Sequence, residues 1–351
     1  MSNKRIIAGD VGGTNTRILS GEWVDGEIRV DAIRRYSSQE FSGLSAIIEQ
    51  FMVELNLTVS PAACCFAVAG PVHNGVAKIT NLPWVVERKT LQTLFAIEPV
   101  ELLNDFQAVT YGVSRLSADE MVGLQSGKEE EQGNRVFLGA GTGFGVSYQL
   151  WQEGRYVAHV CEAGHVAFAP TNELEADLLV WLMKRHEYVS VELLLSGSGL
   201  HRIYQFLAEK SKGSESKKIN DLMQQQDPAE VITQYALSRT DELCVQTVDC
   251  FLHIYGAMCG NVALNYMARG GVYVAGGIAP RIKDLLLASN FMTAFRNKGA
   301  MQGLMNEFSV KLVMQPDVGL YGAAAYTEQW CAPYPPPVGC VPRTIKPVPN
   351  K

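Results

Sequence analysis

Short apolar runs that end in glycine set the pattern of the chain. Ile6-Ile7-Ala8 leads into Gly9-Asp10-Val11-Gly12-Gly13-Thr14-Asn15-Thr16-Arg17, after which Ile18 and Leu19 resume the apolar run. Val136-Phe137-Leu138 leads in the same way into Gly139-Ala140-Gly141-Thr142-Gly143-Phe144-Gly145, followed by Val146-Ser147-Tyr148. Both read as strand, glycine turn, strand. They lie about 130 residues apart, too far for a solenoid repeat, and so predict a duplicated domain. A third strand, Val272-Tyr273-Val274-Ala275, runs into Gly276-Gly277-Ile278-Ala279-Pro280.

Around these stretches strands and helices alternate. Val30-Asp31-Ala32-Ile33 reads as a strand, and Leu44, Ile47, Ile48, Phe51, Met52 and Leu55 fall at helical spacing. The apolar run from Ala62 to Ala69 ends at Gly70-Pro71, as expected of a strand buried on both faces. A short hairpin, the loop Thr80-Asn81-Leu82-Pro83-Trp84 and a short helix capped by Thr90 and carrying Leu91, Leu94 and Phe95 come next. The strand Val100-Glu101-Leu102-Leu103 then stops at Asn104-Asp105. The alternation predicts an α/β fold with a mainly parallel sheet, whose ligands gather at the carboxyl ends of the strands.

Residues 125–135 read as a charged loop, and Asn172 with Glu175 as a capping box for a helix through Leu178, Trp181 and Leu182. Ser190 is expected to cap another helix, with Glu192 in its first turn. The polar stretch 209–226 reads as a mobile excursion. Asp227-Pro228-Ala229-Glu230 is a strong helix start. A long helix is expected from about Asp241 to Ala268 and a last one from Gly319 to Trp330, before a Pro-rich stretch, 331–351.

Composition narrows the classes. The 351 residues suffice for two domains, and 47% hydrophobic with 19% charged residues is ordinary for a globular protein. A net charge of −6 argues against nucleic acid as the main partner. No apolar run is long enough to span a bilayer, and the N-terminal residues lack a signal-peptide core. Eight cysteines without a C-x-x-C pair point to a reducing, cytoplasmic setting.

The chemistry sits at the ends of the apolar runs. In the first turn glycine N–H groups, Thr14 and Asn15 offer donors, while Asp10 places a carboxylate just ahead of them. That set suits a phosphate arriving with Mg²⁺, with the acid toward the metal or its waters; an ordinary β-hairpin is the alternative. It is not a Walker loop, since no Gly-Lys-Ser/Thr follows, nor a dinucleotide fingerprint, since a strand comes next. Two facing turns of this kind would clamp a polyphosphate. Asp105 could receive a nucleophile's proton in phosphoryl transfer, or serve as a helix cap or turn residue. Glu162 and His165 could bind adjacent hydroxyls, or be a surface acid beside a core histidine. Gly164, Pro170 and the want of a second such motif argue against a metal pair. Glu192 has the alternative of simply stabilising a helix start.

Together Gly9–Arg17, Leu103-Asn104-Asp105, Gly139–Gly145, Glu162-Ala163-Gly164-His165, Ser190–Leu200 and Ala275–Arg281 resemble the bacterial-type glucokinase family of the hexokinase-like, actin-like ATPases. The likeness covers about residues 4 to 330. It implies an α/β, two-domain actin-like (ribonuclease H-like) ATPase fold with an inter-domain cleft. The small domain would be 1–113 plus 318–330 and the large one 114–317, with 331–351 beyond the family pattern. It implies ATP phosphates at Gly9, Asp10, Val11, Gly12, Gly13, Thr14 and Asn15 and at Gly141, Thr142 and Gly143. Gly276 and Gly277 would lie near the nucleoside, and Asp10 would hold Mg²⁺ through water. By the same resemblance Asp105 is the catalytic base. Asn104, Glu162, His165 and Glu192 bind the sugar, with Gly70, Pro71 and Asn81 lining its site. The expected reaction is ATP-dependent phosphorylation of glucose at O6, in a cytoplasmic homodimer. ROK-type sugar kinases resemble the chain less, because Val166 to Pro170 lacks their cysteine-rich zinc motif. Two rivals are a sugar-sensing regulator, which would add a DNA-binding module to a chain that starts at its first strand, and an actin- or chaperone-like ATPase, whose acids would not converge on a sugar.

Overall fold

The computed structural model describes residues 4–211 and 216–331. The Pro-rich stretch after Cys331 lies outside the described residues. Chain contacts group into two units: one of Met1–Glu120, Gln152–Val160 and the chain from Gln315 on, the other of Met121–Trp151 and Cys161–Met314.

In the first unit β1 (Lys4–Val11), β2 (Asn15–Val24) and β3 (Glu27–Ser37) form an antiparallel meander. Helix α1 (Leu44–Glu54) returns the chain to β4 (Ala63–Val68), which pairs parallel to β1. A small sheet of β5 (Val72–His73), β6 (Val76–Lys78) and β7 (Val85–Glu87) and helix α2 (Arg88–Phe95) follow. Then come β8 (Val100–Asn104), parallel to β4, and α3 (Asp105–Val113). The sheet order is β3-β2-β1-β4-β8. Alternation along β1 sends Ile7 to one core, with Ile47 and Phe51, and Ile6 and Ala8 to another, with Ala108 and Leu320. Both faces of the sheet are covered.

A second sheet repeats this plan. Its strands are β9 (Met121–Gln125), β10 (Arg135–Ala140), β11 (Phe144–Gln152), β12 (Arg155–Cys161), β13 (Gly271–Ala275) and β14 (Val310–Val313). All group with the second unit except Gln152 at the end of β11 and β12 up to Val160, which group with the first. Their order is β12-β11-β10-β13-β14-β9. The β10–β11 hairpin is antiparallel, and β10, β13 and β14 run parallel, as do β1, β4 and β8. Only the antiparallel edge strand β9 has no counterpart in the first sheet. The repeated glycine turns thus belong to a repeated sheet topology, as the spacing predicts.

Helices α4 (Glu173–Met183), α5 (Gly197–Lys210), α6 (Lys217–Met223), α7 (Pro228–Leu237) and α8 (Glu242–Tyr266) precede β13. Short helices α9 (Lys283–Ala288), α10 (Phe291–Arg296) and α11 (Gln302–Met305) precede β14. The chain then rejoins the first unit through α12 (Val318–Tyr326) and α13 (Glu328–Cys331). Helix α12 lies against α3 at backbone distance. A Cβ at Gly322 would overlap the Ala108 carbonyl oxygen, and one at Gly112 would overlap that of Val318. Trp23 Nε1 donates to Thr327 Oγ1 at 2.9 Å and fixes the end of α12 to β2.

Four local expectations change. The stretch 209–226 is not one excursion: α5 runs to Lys210 and α6 buries Ile219, with residues 212–215 outside the description. Glu87 is the N-cap of α2, and Thr90 Oγ1 donates to its carboxylate at 3.0 Å instead of capping the helix. Asn172 does cap α4, but Glu175 turns to Thr171 (2.6 Å to N) and His253 (2.6 Å to Nδ1) in place of a reciprocal box. No helix starts at Ser190; residues 191–196 form a turn, and α5 starts after Ser196, whose hydroxyl accepts from Gly199 N at 3.1 Å. The seven cysteines among the described residues are free thiols, six of them buried.

Candidate functional site

In the first unit the glycine turn closes with Gly12 N donating to Asn15 O at 3.0 Å. Ser38 braces it, with its hydroxyl donating to Gly12 O at 2.8 Å and its N–H to Thr14 O at 2.9 Å. Gly13 must be glycine because a Cβ would come within 2.7 Å of Thr80 O and 3.4 Å of the Asn81 Cβ. The turn therefore lies against the loop that carries Asn81, itself left-handed at φ 66°. The N–H groups of Gly13 and Thr14 have no partner among the described residues. Asn15 Oδ1 accepts from Arg35 Nε at 3.1 Å, which leaves its NH₂ group for a ligand.

Asp10 and Arg17 face each other across the β1–β2 pair and are joined by a salt bridge. Arg17 Nη1 also reaches Asp317 Oδ1 at 2.5 Å, just ahead of α12. Burial disfavours the Arg17 charge, but the two carboxylates outweigh it and raise its pKa. Arg17 belongs to the first glycine stretch, but its pairing with Asp317 is not legible in the sequence: a partner 300 residues away leaves no local signal.

Asn104 ends β8 and caps α3. Its Oδ1 accepts from Phe106 N at 3.0 Å and Gln107 N at 3.4 Å, while its Nδ2 donates to Gly70 O at 3.2 Å. The bland reading, a helix cap, is thus realised by Asn104, and the same residue ties the Gly70-Pro71 bend to the head of α3. Gly70 has φ 158°, and a Cβ there would overlap Lys78 O. Asp105 is the first residue of α3, half-buried, with Oδ1 2.9 Å from Phe106 N. Negative charge is favoured at such a helix start. Asp105, Asn104, Gly70 and the first turn share one unit, while Pro71 and Asn81 are exposed beside them.

In the second unit Gly141 N donates to Gly143 O at 2.8 Å to close the second turn, and Gly197 N donates to Gly141 O at 2.9 Å. Thr142 N and Gly143 N have no partner among the described residues. Gly276, at φ 83°, carries the end of β13 past this turn, where Ile278 N donates to Ala140 O at 3.1 Å. A Cβ at Gly141 would meet only Gly277 N, at 3.9 Å, and one at Gly277 would meet nothing within 4 Å. Gly141 and Gly277 thus border open space.

Glu192 joins this turn. Its Oε2 accepts from Phe144 N at 2.8 Å, and Gly143 has no room for a Cβ because of it. Glu192 N in turn donates to Gly164 O at 2.9 Å, within a 3₁₀ turn of Ala163–His165. The structure therefore gathers Glu162, His165, Glu192 and Gly141–Gly143 in one unit, and Glu162 and His165 are exposed. Among the described residues no three acidic, histidine or cysteine side chains converge as a metal cluster.

Two sheets of one topology, each with a glycine turn in an antiparallel hairpin (β1–β2 and β10–β11), are the plan of the two-domain actin-like ATPase fold. Solved sugar kinases share it: the glucokinase of an Antarctic psychrotroph superposes with a TM-score of 0.81 at 30% identity, over 93% of this chain and 99% of that one. A ROK family glucokinase from Streptomyces griseus, solved with glucose and AMPPNP, shares the fold at a TM-score of 0.60 and 18% identity, over 93% and 99% of the two chains. The chain belongs to the glucokinase family, whose model matches residues 7–330. It is 40% identical over 334 residues to the glucokinase of Trichormus variabilis (91% of this chain, 97% of that one) and 39% over 346 residues to that of Synechocystis (92% and 98%).

Proposed function

We propose that the chain phosphorylates glucose at O6 with ATP. The observation that carries this reading is the pair of glycine turns whose central N–H groups are uncommitted, since oriented backbone donors of this kind hold phosphate oxygens. Gly9–Asn15 and Gly141–Gly143 take the phosphates, and Gly276-Gly277 leaves room beside β13 for the nucleoside. Asp105 accepts the O6 proton as the hydroxyl attacks the γ-phosphoryl group, and the turn N–H groups stabilise the charge that develops on its oxygens. Asn104, Glu162, His165 and Glu192 bind the sugar hydroxyls, and Gly70, Pro71 and Asn81 shape that site. The bond from Phe144 N leaves Glu192 Oε1 for a hydroxyl.

The donor set fits magnesium that enters with the nucleotide, because Mg²⁺ keeps several waters and takes few protein ligands. Asp10 would contact it through water while paired to Arg17, and the ion would neutralise phosphate charge. The domains expected at 1–113 with 318–330 and at 114–317, the homodimer and the cytoplasmic setting belong to the same proposal.

A coupled assay with ATP and glucose tests it directly. Galactose and mannose, each inverted at one centre, should be poor substrates, because a site built on hydroxyl hydrogen bonds rejects an unmatched partner strongly. No glucose-dependent turnover, or better turnover of N-acetylmannosamine, would overturn the assignment. Glu162→Gln should raise KM for glucose with little change in melting temperature, since the side chain is exposed. An unchanged KM would return Glu162 to the status of a surface acid.

A further inference from the structure

A groove of about 380 Å³ in the second unit is lined by Trp181, Arg185, His186, Arg202, Gln205 and Glu209. Trp181 comes from α4, and Arg185 and His186 follow its end. Arg202, Gln205 and Glu209 lie three and four residues apart on α5 and so share one face. The volume suits a small ligand.

The two arginines differ in how their charge is met. The Arg185 guanidinium lies 3.7 Å from the centre of the Trp181 ring. Its Nη2 donates to both Glu209 oxygens, at 3.0 and 3.1 Å, and Trp181 Nε1 donates to Glu209 at 2.7 Å. Arg185 is therefore compensated. Arg202 Nη1 donates to Leu193 O at 3.0 Å and Ser198 Oγ at 2.9 Å, two neutral acceptors. That uses two of a guanidinium's five N–H groups. No carboxylate among the described residues pairs with it, and partial burial pulls its pKa below the usual value. A partly desolvated cation without a counter-charge is costly unless an anion completes it.

We propose that this groove binds a small phosphate-bearing anion, with Arg202 as its principal ligand and Arg185, His186 and Gln205 as further donors. Arginine forks match phosphate oxygens, and the two arginines against one glutamate leave the groove net positive. The site is tied to the second glycine turn. Arg202 holds both ends of the segment 193–198, Ser196 Oγ donates to Glu192 O at 2.8 Å, and Gly197 N to Gly141 O at 2.9 Å. An occupied groove would therefore bias the segment that positions Glu192. That second step rests on the kinase reading given above; the binding does not.

The test is calorimetric titration of the full chain saturated with a non-hydrolysable ATP analogue, so that the glycine turns are filled. Inorganic phosphate and glycerol 3-phosphate are titrated at constant ionic strength. Saturable binding with a Kd on the order of 1 mM is expected, weakened about tenfold or more by Arg202→Gln and, with less structural risk, by Arg185→Gln. Lys210→Gln, on the same helix but outside the groove, should bind as the parent does. Tighter binding of glycerol 3-phosphate would identify a phosphate monoester, and equal binding inorganic phosphate. The absence of saturable binding, or equal binding by both arginine variants and the parent, overturns the site. The ligand should also shift KM for glucose about twofold or more in the parent and not in Arg202→Gln. Arg202-dependent binding with an unmoved KM refutes the coupling to Glu192, whereas a chain without glucose turnover refutes the kinase reading alone.

Discussion

Asp105→Asn should lower kcat by about 10²–10⁴-fold while KM for glucose and the melting temperature stay near those of the parent. The substitution removes the proton acceptor and keeps the size of the side chain. Asparagine keeps the shape and can still accept from Phe106 N, the bond that Oδ1 now makes at 2.9 Å. The cap on α3 comes from Asn104, so the helix start keeps its main support, and loss of the Asp105 charge at the helix dipole costs only about 0.3–1 kcal/mol. Near-normal turnover would remove Asp105 from the chemistry and leave it as the first residue of a helix. A collapse of stability along with activity would point instead to a structural role.

Gly322→Ala should destabilise the protein by about 3 kcal/mol and cut kcat, although the site chemistry is untouched. In an exposed helix the same change would stabilise by about 1 kcal/mol, because alanine is the better helix former. Here the added methyl would overlap the Ala108 carbonyl oxygen and come within 2.8 Å of Gly112 N, so α12 and α3 must move apart. Helix α3 begins with Asp105, and a displacement of about 1 Å in a reacting group can cost about 10²-fold in rate. Gly303→Ala, at an exposed helix position with nothing within 4 Å of its Cβ, is the matched control. It should leave the rate unchanged and the stability equal to or slightly above that of the parent. A melting temperature for Gly322→Ala at or above that of the parent would refute the packing argument.

What the sequence made legible was whatever carried its own periodicity. The two glycine turns stood out because apolar strands flank each of them, and their repetition correctly anticipated two sheets of one order. The β8-to-α3 junction was legible because an apolar run ends at two polar residues. Glu192 was placed in the wrong local structure, since Ser190 offers a cap signature and only tertiary contacts with Gly164 and Phe144 make the segment a turn. Helix α6 was missed because Ile219, Leu222 and Met223 are too few to mark a face in a polar stretch. The Arg17–Asp317 pair joins residues that no spacing rule connects.

The buried thiols have a consequence for how this protein can be watched. Burial pushes Cys64 and Cys250 up to about 12 and raises Cys65 and Cys259 well above the ordinary thiol value. The thiolate is the reactive form, so these groups are silent toward alkylating reagents while the fold is closed. Each then becomes a clock. Labelling at Cys64 and Cys65 times the opening of the first unit's core, and labelling at Cys259 that of the second. Followed by mass spectrometry in one sample, with and without glucose, the two rates would report which core the sugar protects.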